Sequence, residues 1–124
     1  MARYLISFDD GAMDFIPEEE MPDVADAAHA VIRDAQDAGV WVFAGGVYPH
    51  DEVSVSVVAT DGTVTDGPYP EAIGGFTLVD VPSREEALRW AAKIAVACRC
   101  AQEVREIGAD PELDAMLRQA DSRR

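Results

Sequence analysis

Asp66 is the residue whose type and surroundings best suit chemistry in this chain. It opens the run Asp66-Gly67-Pro68-Tyr69, in which proline fixes the backbone and disfavours a helical conformation at the preceding glycine, so the run predicts a turn of defined shape. That rigid corner aims one carboxylate and one phenol outward. Asp66 is therefore the candidate catalytic residue, and Tyr69 is a candidate wall of a ligand pocket. The same run is also typical of a plain loop between strands.

Glu103 and Arg105 form a second candidate group, for ligand binding. The residues around them alternate, which predicts a strand with Val104 towards the helices and both charged residues on the opposite face. Charged groups on a covered face must pair or bind something. The acidic residues that the sequence offers to Arg105 are Asp66, Glu71 and Glu103. The group is either a structural ion pair or the polar end of a pocket for an anionic or carbonyl ligand, which suits the guanidinium fork.

The histidines and cysteines carry weaker signals. His29 lies on the flank of the apolar stripe of its helix, where it is either a surface residue or a general base that reaches a cleft. His50 begins the run His50-Asp51-Glu52, which we interpret as a solvated loop because consecutive residues do not converge on one metal ion without a turn. Cys98 and Cys100 are interpreted as small buried side chains in a reducing compartment. No zinc or phosphate-binding signature is present in the sequence, so we predict no metal and no cofactor.

The elements that position these residues follow the order strand, helix, strand, hairpin, strand, helix, strand. Apolar and β-branched runs predict the first strands, alternation predicts the last strand, and apolar residues at helical spacing predict the helices. Pro22 and Gly39 delimit the first helix, and a capping box over residues 83–86 opens the second. The predicted core strands are 3–8, 40–47, 75–81 and 101–107, the hairpin pairs 53–60 with 63–65, and a polar tail, 110–124, contains a short helix over 111–117.

This order predicts an α+β fold: a ferredoxin-like βαββαβ unit with an inserted β-hairpin. Both helices then cover one face of an antiparallel sheet in which the four core strands are arranged 4-1-3-2. Gly45-Gly46 and Gly74-Gly75 are typical of strand positions that other atoms approach closely. The first two strands are apolar on both sides, and the helices cover only one. We therefore predict a homodimer that pairs through the helix-free face of the sheet.

Length and charge limit the remaining possibilities. The chain has 124 residues, which suits one domain over 1–124, and its net charge is −14 at pH 7. Such a charge repels nucleic acid and anionic membrane surfaces, so neither is a predicted partner. No stretch is apolar over the roughly 18–20 residues that a membrane span needs, and the first residues form a strand pattern rather than a signal peptide. These features predict a cytoplasmic protein.

Several motifs together resemble the YCII-related family, in its DGPF subgroup. They are the strand from Tyr4 to Phe8, Ala44-Gly45-Gly46, Asp66-Gly67-Pro68-Tyr69 with Glu71, Gly74-Gly75-Phe76, and Glu103-Val104-Arg105. The resemblance implies a ferredoxin-like domain that dimerises face to face into a dimeric α/β barrel. It also implies a small-molecule-binding protein with a regulatory or accessory role, since the family is often encoded beside extracytoplasmic-function sigma factors. The alternative is a lyase-type or isomerase-type enzyme that uses acid–base chemistry on small molecules.

Departures from the family pattern bear on that alternative. Members that resemble the enzyme branch carry a histidine on the first helix and an Asp-Pro pair at the end of the second helix. Here the corresponding pair is Ile94-Ala95, and His29 is offset from the matching position. The loop between Glu71 and Gly74 is also shorter than in the subgroup and lacks its lysine. The His–Asp dyad is therefore absent or broken, which favours ligand binding over lyase or dehydrochlorinase chemistry.

Overall fold

The computed structural model describes residues 1–53, 55–66 and 72–122. In these ranges the strands are β1 (Ala2–Asp9), β2 (Trp41–Gly46), β3 (Val57–Val58), β4 (Val64–Thr65), β5 (Ile73–Val81) and β6 (Glu103–Glu106). The helices are α1 (Met21–Asp37), α2 (Arg84–Cys98) and α3 (Pro111–Ser122), and a 3-10 turn at Glu18–Glu20 leads into α1. The C-terminal helix is longer than the predicted one, which ended at residue 117.

Local sequence explains where the helices begin and end. α1 has a proline in its first turn, and the chain leaves it at Gly39, where a φ of +74° gives the left-handed conformation that glycine adopts without steric cost. At the start of α2, the Ser83 hydroxyl oxygen accepts a hydrogen bond from the Glu86 backbone N–H at 3.2 Å, as expected for an N-cap serine. At the start of α3, Oδ1 of Asp110 accepts a hydrogen bond from the Leu113 backbone N–H at 3.1 Å.

Four strands form one antiparallel sheet in the order β2-β5-β1-β6. This is the order predicted for the core strands, and an antiparallel sheet combined with helices confirms the α+β class. The hairpin of β3 and β4 is a separate two-stranded sheet that turns at Gly62, where φ is +88°. Its strands are shorter than predicted. Val58 and Val64 are exposed, so among the described residues no other element packs on this hairpin to stabilise longer strands.

The hydrophobic core lies between the sheet and the helices α1 and α2. On the sheet, Tyr4 and Ile6 of β1 and Val79 and Val81 of β5 share one face and are all buried. The helices complete this cluster with Ala35 of α1 and with Ala87, Trp90, Ala91, Ile94 and Cys98 of α2. Both helices therefore cover the same face of the sheet, as predicted.

The other face of the sheet is covered by neither of these helices, and we call it the open sheet face. Its residues are Arg3, Leu5, Phe43, Phe76, Leu78, Asp80, Glu103 and Arg105. Strand pairing places Leu5 and Phe43 on either side of Leu78. Phe43 is 55% exposed, and its ring centroid lies 6.0 Å from that of Phe76. The single chain thus leaves Phe43 exposed on the edge strand and covers Leu5, Phe76 and Leu78 only partly.

Gly75 packs against the ring of Phe8, and this contact predicts an effect on stability. A Cβ atom at Gly75 would lie 2.5 Å from Cζ of Phe8 and 3.3 Å from the carbonyl oxygen of Gly45, which confirms the close approach predicted for this glycine. We expect Gly75→Ala to lower the free energy of unfolding by about 1–3 kcal/mol because the ring must move. Denaturant unfolding measures the change. Gly46→Ala is the matched control, since the nearest atom to its Cβ lies 4.0 Å away; equal losses in both variants would contradict the prediction.

Candidate functional site

A cavity of about 510 Å³ lies between α1 and the helix-covered face of the sheet. Its volume falls within the roughly 300–1,000 Å³ typical of small-molecule sites. The walls are mostly apolar and are formed by Phe8, Met13, Met21, Val24, Ala25, Ala28, His29, Ile32, Trp41, Ala44, Gly45, Gly46, Phe76, Thr77, Ile94 and Cys98. Two aromatic rings in this set, those of Phe8 and Trp41, provide flat surfaces on which a planar ligand can stack.

The cavity exists because both of its walls contain small residues. On α1, Ala25 and Ala28 line it, and on the edge strand β2 the run Ala44-Gly45-Gly46 lines the opposite side. A Cβ atom added at Gly46 would meet no atom closer than 4.0 Å, so this position borders open space. Short side chains on facing elements leave a gap in an interior that is otherwise closely packed. No motif in the sequence marks these residues as a site, and their small size is the one feature that could have indicated a cavity.

Three polar side chains, His29, Thr77 and Cys98, line the cavity. Thr77 is buried, whereas His29 is exposed on α1. Burial raises the pKa of the Cys98 thiol, and the nearby Cys100 adds to the effect, so the thiol stays protonated and is a poor nucleophile. Among the described residues, the lining contains no carboxylate, lysine or arginine. The cavity can therefore hold an uncharged ring and offer it hydrogen bonds from an imidazole and a hydroxyl group.

His29 combines features of both interpretations that its sequence position allowed. The side chain is exposed to solvent, and it also lines the cavity. The imidazole thus lies at the border between water and an apolar interior, where it can donate, accept or transfer a proton. A role as general base remains a prediction.

Three of the charged residues predicted as a site are absent from the lining of the cavity: Asp66, Glu103 and Arg105. Glu103 and Arg105 are neighbours on the open sheet face, with 3.8 Å between their charged groups and side chains that are 62% and 76% exposed. Asp66 is exposed at the end of β4, and within the described ranges no ion pair joins it to Arg105. Tyr69 and Glu71 lie outside the described residues. A pair as exposed as Glu103–Arg105 contributes little to stability in the single chain, and a ligand role for this group stays a prediction.

His50 and Asp10 form a pair that the sequence analysis missed. Oδ2 of Asp10 accepts hydrogen bonds from the backbone N–H of His50 at 3.0 Å and from its Nδ1 at 2.6 Å. The pair joins the segment after β1 to the segment after β2. The imidazole is still 53% exposed, so the loop is solvated as interpreted, but this contact anchors it. The backbone and side-chain hydrogen bonds lower the pKa of Asp10, and the hydrogen bond with Asp10 raises the pKa of His50. No local signal predicts a partner so distant in sequence.

This pair makes stability depend on pH. The pKa of His50 is raised above its ordinary 6.5, so the charged imidazole stabilises the fold fully below pH 6.5 and loses that contribution as pH rises through the raised pKa. The pKa of Asp10 is lowered below its ordinary 3.8, so its contribution is present above pH 3.8 and is lost as pH falls through the lowered pKa. We expect His50→Gln to lower the melting temperature most between about pH 4 and 6.5, and less at alkaline pH.

Glu52→Gln is the control for this experiment, since it removes a charge from the same loop without removing either member of the pair. Its difference from the unmodified chain should not vary with pH in the same range. A His50→Gln difference that stays constant from about pH 5 to pH 9 would contradict the prediction.

Within residues 1–53, 55–66 and 72–122, no three histidine, cysteine, aspartate or glutamate side chains are grouped so that they could hold a metal ion. In the same part of the chain, no helix is long and apolar enough to cross a membrane.

An α+β domain with an apolar cavity under its first helix is the class of protein that the fold and the site define. The chain belongs to the YCII-related family: the YCII-related domain matches residues 4–109. A comparison with curated proteins finds no match.

Among solved structures, the chain is similar to 5-chloro-2-hydroxyhydroquinone dehydrochlorinase from Burkholderia phenoliruptrix, determined in complex with 2,5-dihydroxybenzoquinone. The two sequences are 16% identical, and the match covers 89% of this chain and 97% of the dehydrochlorinase chain with a TM-score of 0.51. At this level of identity the similarity shows a shared fold and does not show a shared reaction.

Proposed function

We propose that this YCII-related protein is a small-molecule-binding homodimer whose ligand occupies the cavity between α1 and the sheet. The observation that carries the proposal is the cavity itself, about 510 Å³ of space with aromatic walls and one histidine. An apolar concave space of this size, open to solvent where Met21, Ala25 and His29 are exposed, is typical of a ligand site.

The lining favours a neutral aromatic ligand that carries hydroxyl or carbonyl groups. Phe8 and Trp41 offer surfaces for stacking, and Thr77 and His29 offer hydrogen-bond partners. The indole N–H of Trp41 is buried without a hydrogen-bond partner among the described residues, which is costly unless an acceptor such as a ligand oxygen satisfies it. A net charge of −14 and a lining without described cationic side chains both disfavour an anionic ligand.

Binding is favoured over catalysis by what surrounds His29. A histidine that works as a general base is usually oriented by a carboxylate, and the described lining contains none. The alternative, a lyase-type or isomerase-type enzyme, is supported by the presence of an imidazole in the cavity and by the fold shared with a dehydrochlorinase. Chloride release from a chlorinated hydroquinone would support this alternative.

The homodimer and the finer family assignment also belong to this proposal. The open sheet face supports dimerisation, because Phe43 and its neighbours would otherwise remain in water. Pairing of two such faces would give a dimeric α/β barrel, with Arg105 and Glu103 in its interior, where a second ligand group could bind. Membership of the DGPF subgroup and an accessory role beside extracytoplasmic-function sigma factors stay predictions from the resemblance.

Calorimetric titration with a matched pair of ligands tests the binding proposal. Hydroquinone is a neutral ring with two hydroxyl groups, and 4-hydroxybenzoate is a ring of similar size that carries a negative charge at pH 7. We expect hydroquinone to bind at least about tenfold more tightly, a difference of about 1.4 kcal/mol. Tighter binding of 4-hydroxybenzoate would contradict the neutral-ligand class, and no heat from either ring would contradict an aromatic ligand altogether.

A further inference from the structure

α3 presents its apolar residues away from its own chain. Leu113 is 60% exposed and Met116 is 58% exposed, and Leu117 lies beside them at helical spacing. The residues of α3 that the chain partly covers are Asp114 and Ala115. At about 100° per residue, these two groups point about 160° apart. The apolar stripe of the helix therefore faces outward, and Asp114 and Ala115 face the chain.

An ion pair joins α3 to the sheet. Nη1 of Arg3 lies 3.5 Å from Oδ1 of Asp114, and Nη2 of the same guanidinium lies 3.5 Å from Oδ2 of Asp80. Within the described chain, no strand or other helix packs extensively along α3. Helices shorter than about 12–15 residues are marginally stable alone in water. A helix of 12 residues with an exposed apolar stripe therefore requires a partner surface.

The anchor of α3 indicates which surface this is. Arg3 and Asp80 both belong to the open sheet face, so α3 is held at the border of that face. The chain thus carries two uncovered apolar surfaces side by side, the open sheet face and the stripe of α3. A two-fold axis that pairs the two open sheet faces also brings each α3 to the border of its partner's sheet, so the stripe is covered in both copies. No third molecule is then required to cover either surface.

The charged residues beside the two apolar surfaces also favour a second copy as the partner. Arg105 is exposed on the open sheet face, and Glu112 is exposed in the first turn of α3, so each copy offers a cation where the other offers an anion.

We propose that α3 packs its stripe of Leu113, Met116 and Leu117 on the open sheet face of a second copy. This inference rests on the homodimer of the proposed function and adds to it the element that crosses the interface. The C-terminal segment then holds the dimer together and completes the cover over the sheet.

Sedimentation equilibrium of the full chain and two variants of α3 tests this inference. We expect Met116→Glu to raise the dimer dissociation constant at least about tenfold, because it buries a charge in the interface. Gln119→Glu adds the same charge on an exposed side of the same helix and should leave the constant unchanged. Leu113→Gln, a milder change in the stripe, should weaken the dimer in the same direction. A dimer that none of these variants weakens would overturn the inference and keep the homodimer, whereas a monomeric full chain would overturn both.

Mixing two weakened variants tests whether α3 reaches the partner. Met116→Glu alters only the stripe, and Phe43→Glu alters only the open sheet face. In a heterodimer of these two chains, one contact pairs an intact α3 with an intact sheet. We therefore expect the mixture to dimerise at concentrations at which each variant alone is monomeric. A mixture that stays monomeric would show that α3 covers its own sheet or docks on another molecule, and would overturn the inference.

Discussion

Phe43→Glu is expected to convert the homodimer into a folded monomer. The phenylalanine is 55% exposed in the single chain, so the change leaves the core of one copy intact. In the dimer the same side chain, on the edge strand β2, would be buried between the two open sheet faces. Loss of a buried aromatic anchor costs about 2 kcal/mol or more, and burial of a carboxylate without a partner adds further cost. We expect the dissociation constant, measured by sedimentation equilibrium, to rise at least about 100-fold.

Val96→Glu is the matched control for Phe43→Glu. Val96 is 81% exposed on α2, which covers the opposite face of the sheet, so the same charge is added outside the expected interface. The control should remain a dimer, and circular dichroism should show both variants folded. If Phe43→Glu dimerises as tightly as the unmodified chain, the open sheet face is not the interface.

Ala28→Phe is expected to abolish ligand binding without unfolding the protein. Ala28 lines the cavity from α1, where its small side chain is one reason that the space exists. A phenyl ring at this position would occupy the volume that the ligand needs, and the open cavity can receive it without the strain of an overpacked core. We expect the affinity for hydroquinone to fall at least about 100-fold in calorimetric titration, which is about 2.7 kcal/mol.

Ala30→Phe makes the same change at an exposed position of α1 outside the described lining of the cavity. This control should bind hydroquinone like the unmodified chain. Equal affinities in Ala28→Phe and Ala30→Phe would exclude the cavity as the site and direct attention to the Glu103–Arg105 group on the open sheet face. The outcome therefore distinguishes the two candidate sites.

The sequence by itself determined the order and type of the main elements. Runs of apolar and β-branched residues over 3–8 and 75–81 predicted strands, and the helices between the strands indicated that one face of the sheet is covered. The strand order followed from the βαββαβ order of elements, because two helices on one face of a four-stranded sheet leave few arrangements of its strands. Ser83 at the start of α2 and Gly39 after α1 set helix ends through contacts within a few residues. These features depend on near neighbours, which a sequence displays directly.

Only the tertiary structure decided where the groups that matter for function lie. The cavity arises from alanines on α1 facing glycines on β2, and its size depends on the distance between two elements rather than on either one. His50 meets Asp10 across 40 positions of sequence, and Asp114 meets Arg3 at the border of the open sheet face. The direction of the α3 stripe follows from that last contact. Side-chain periodicity fixes which residues share a face, but the packing of distant segments fixes what that face meets.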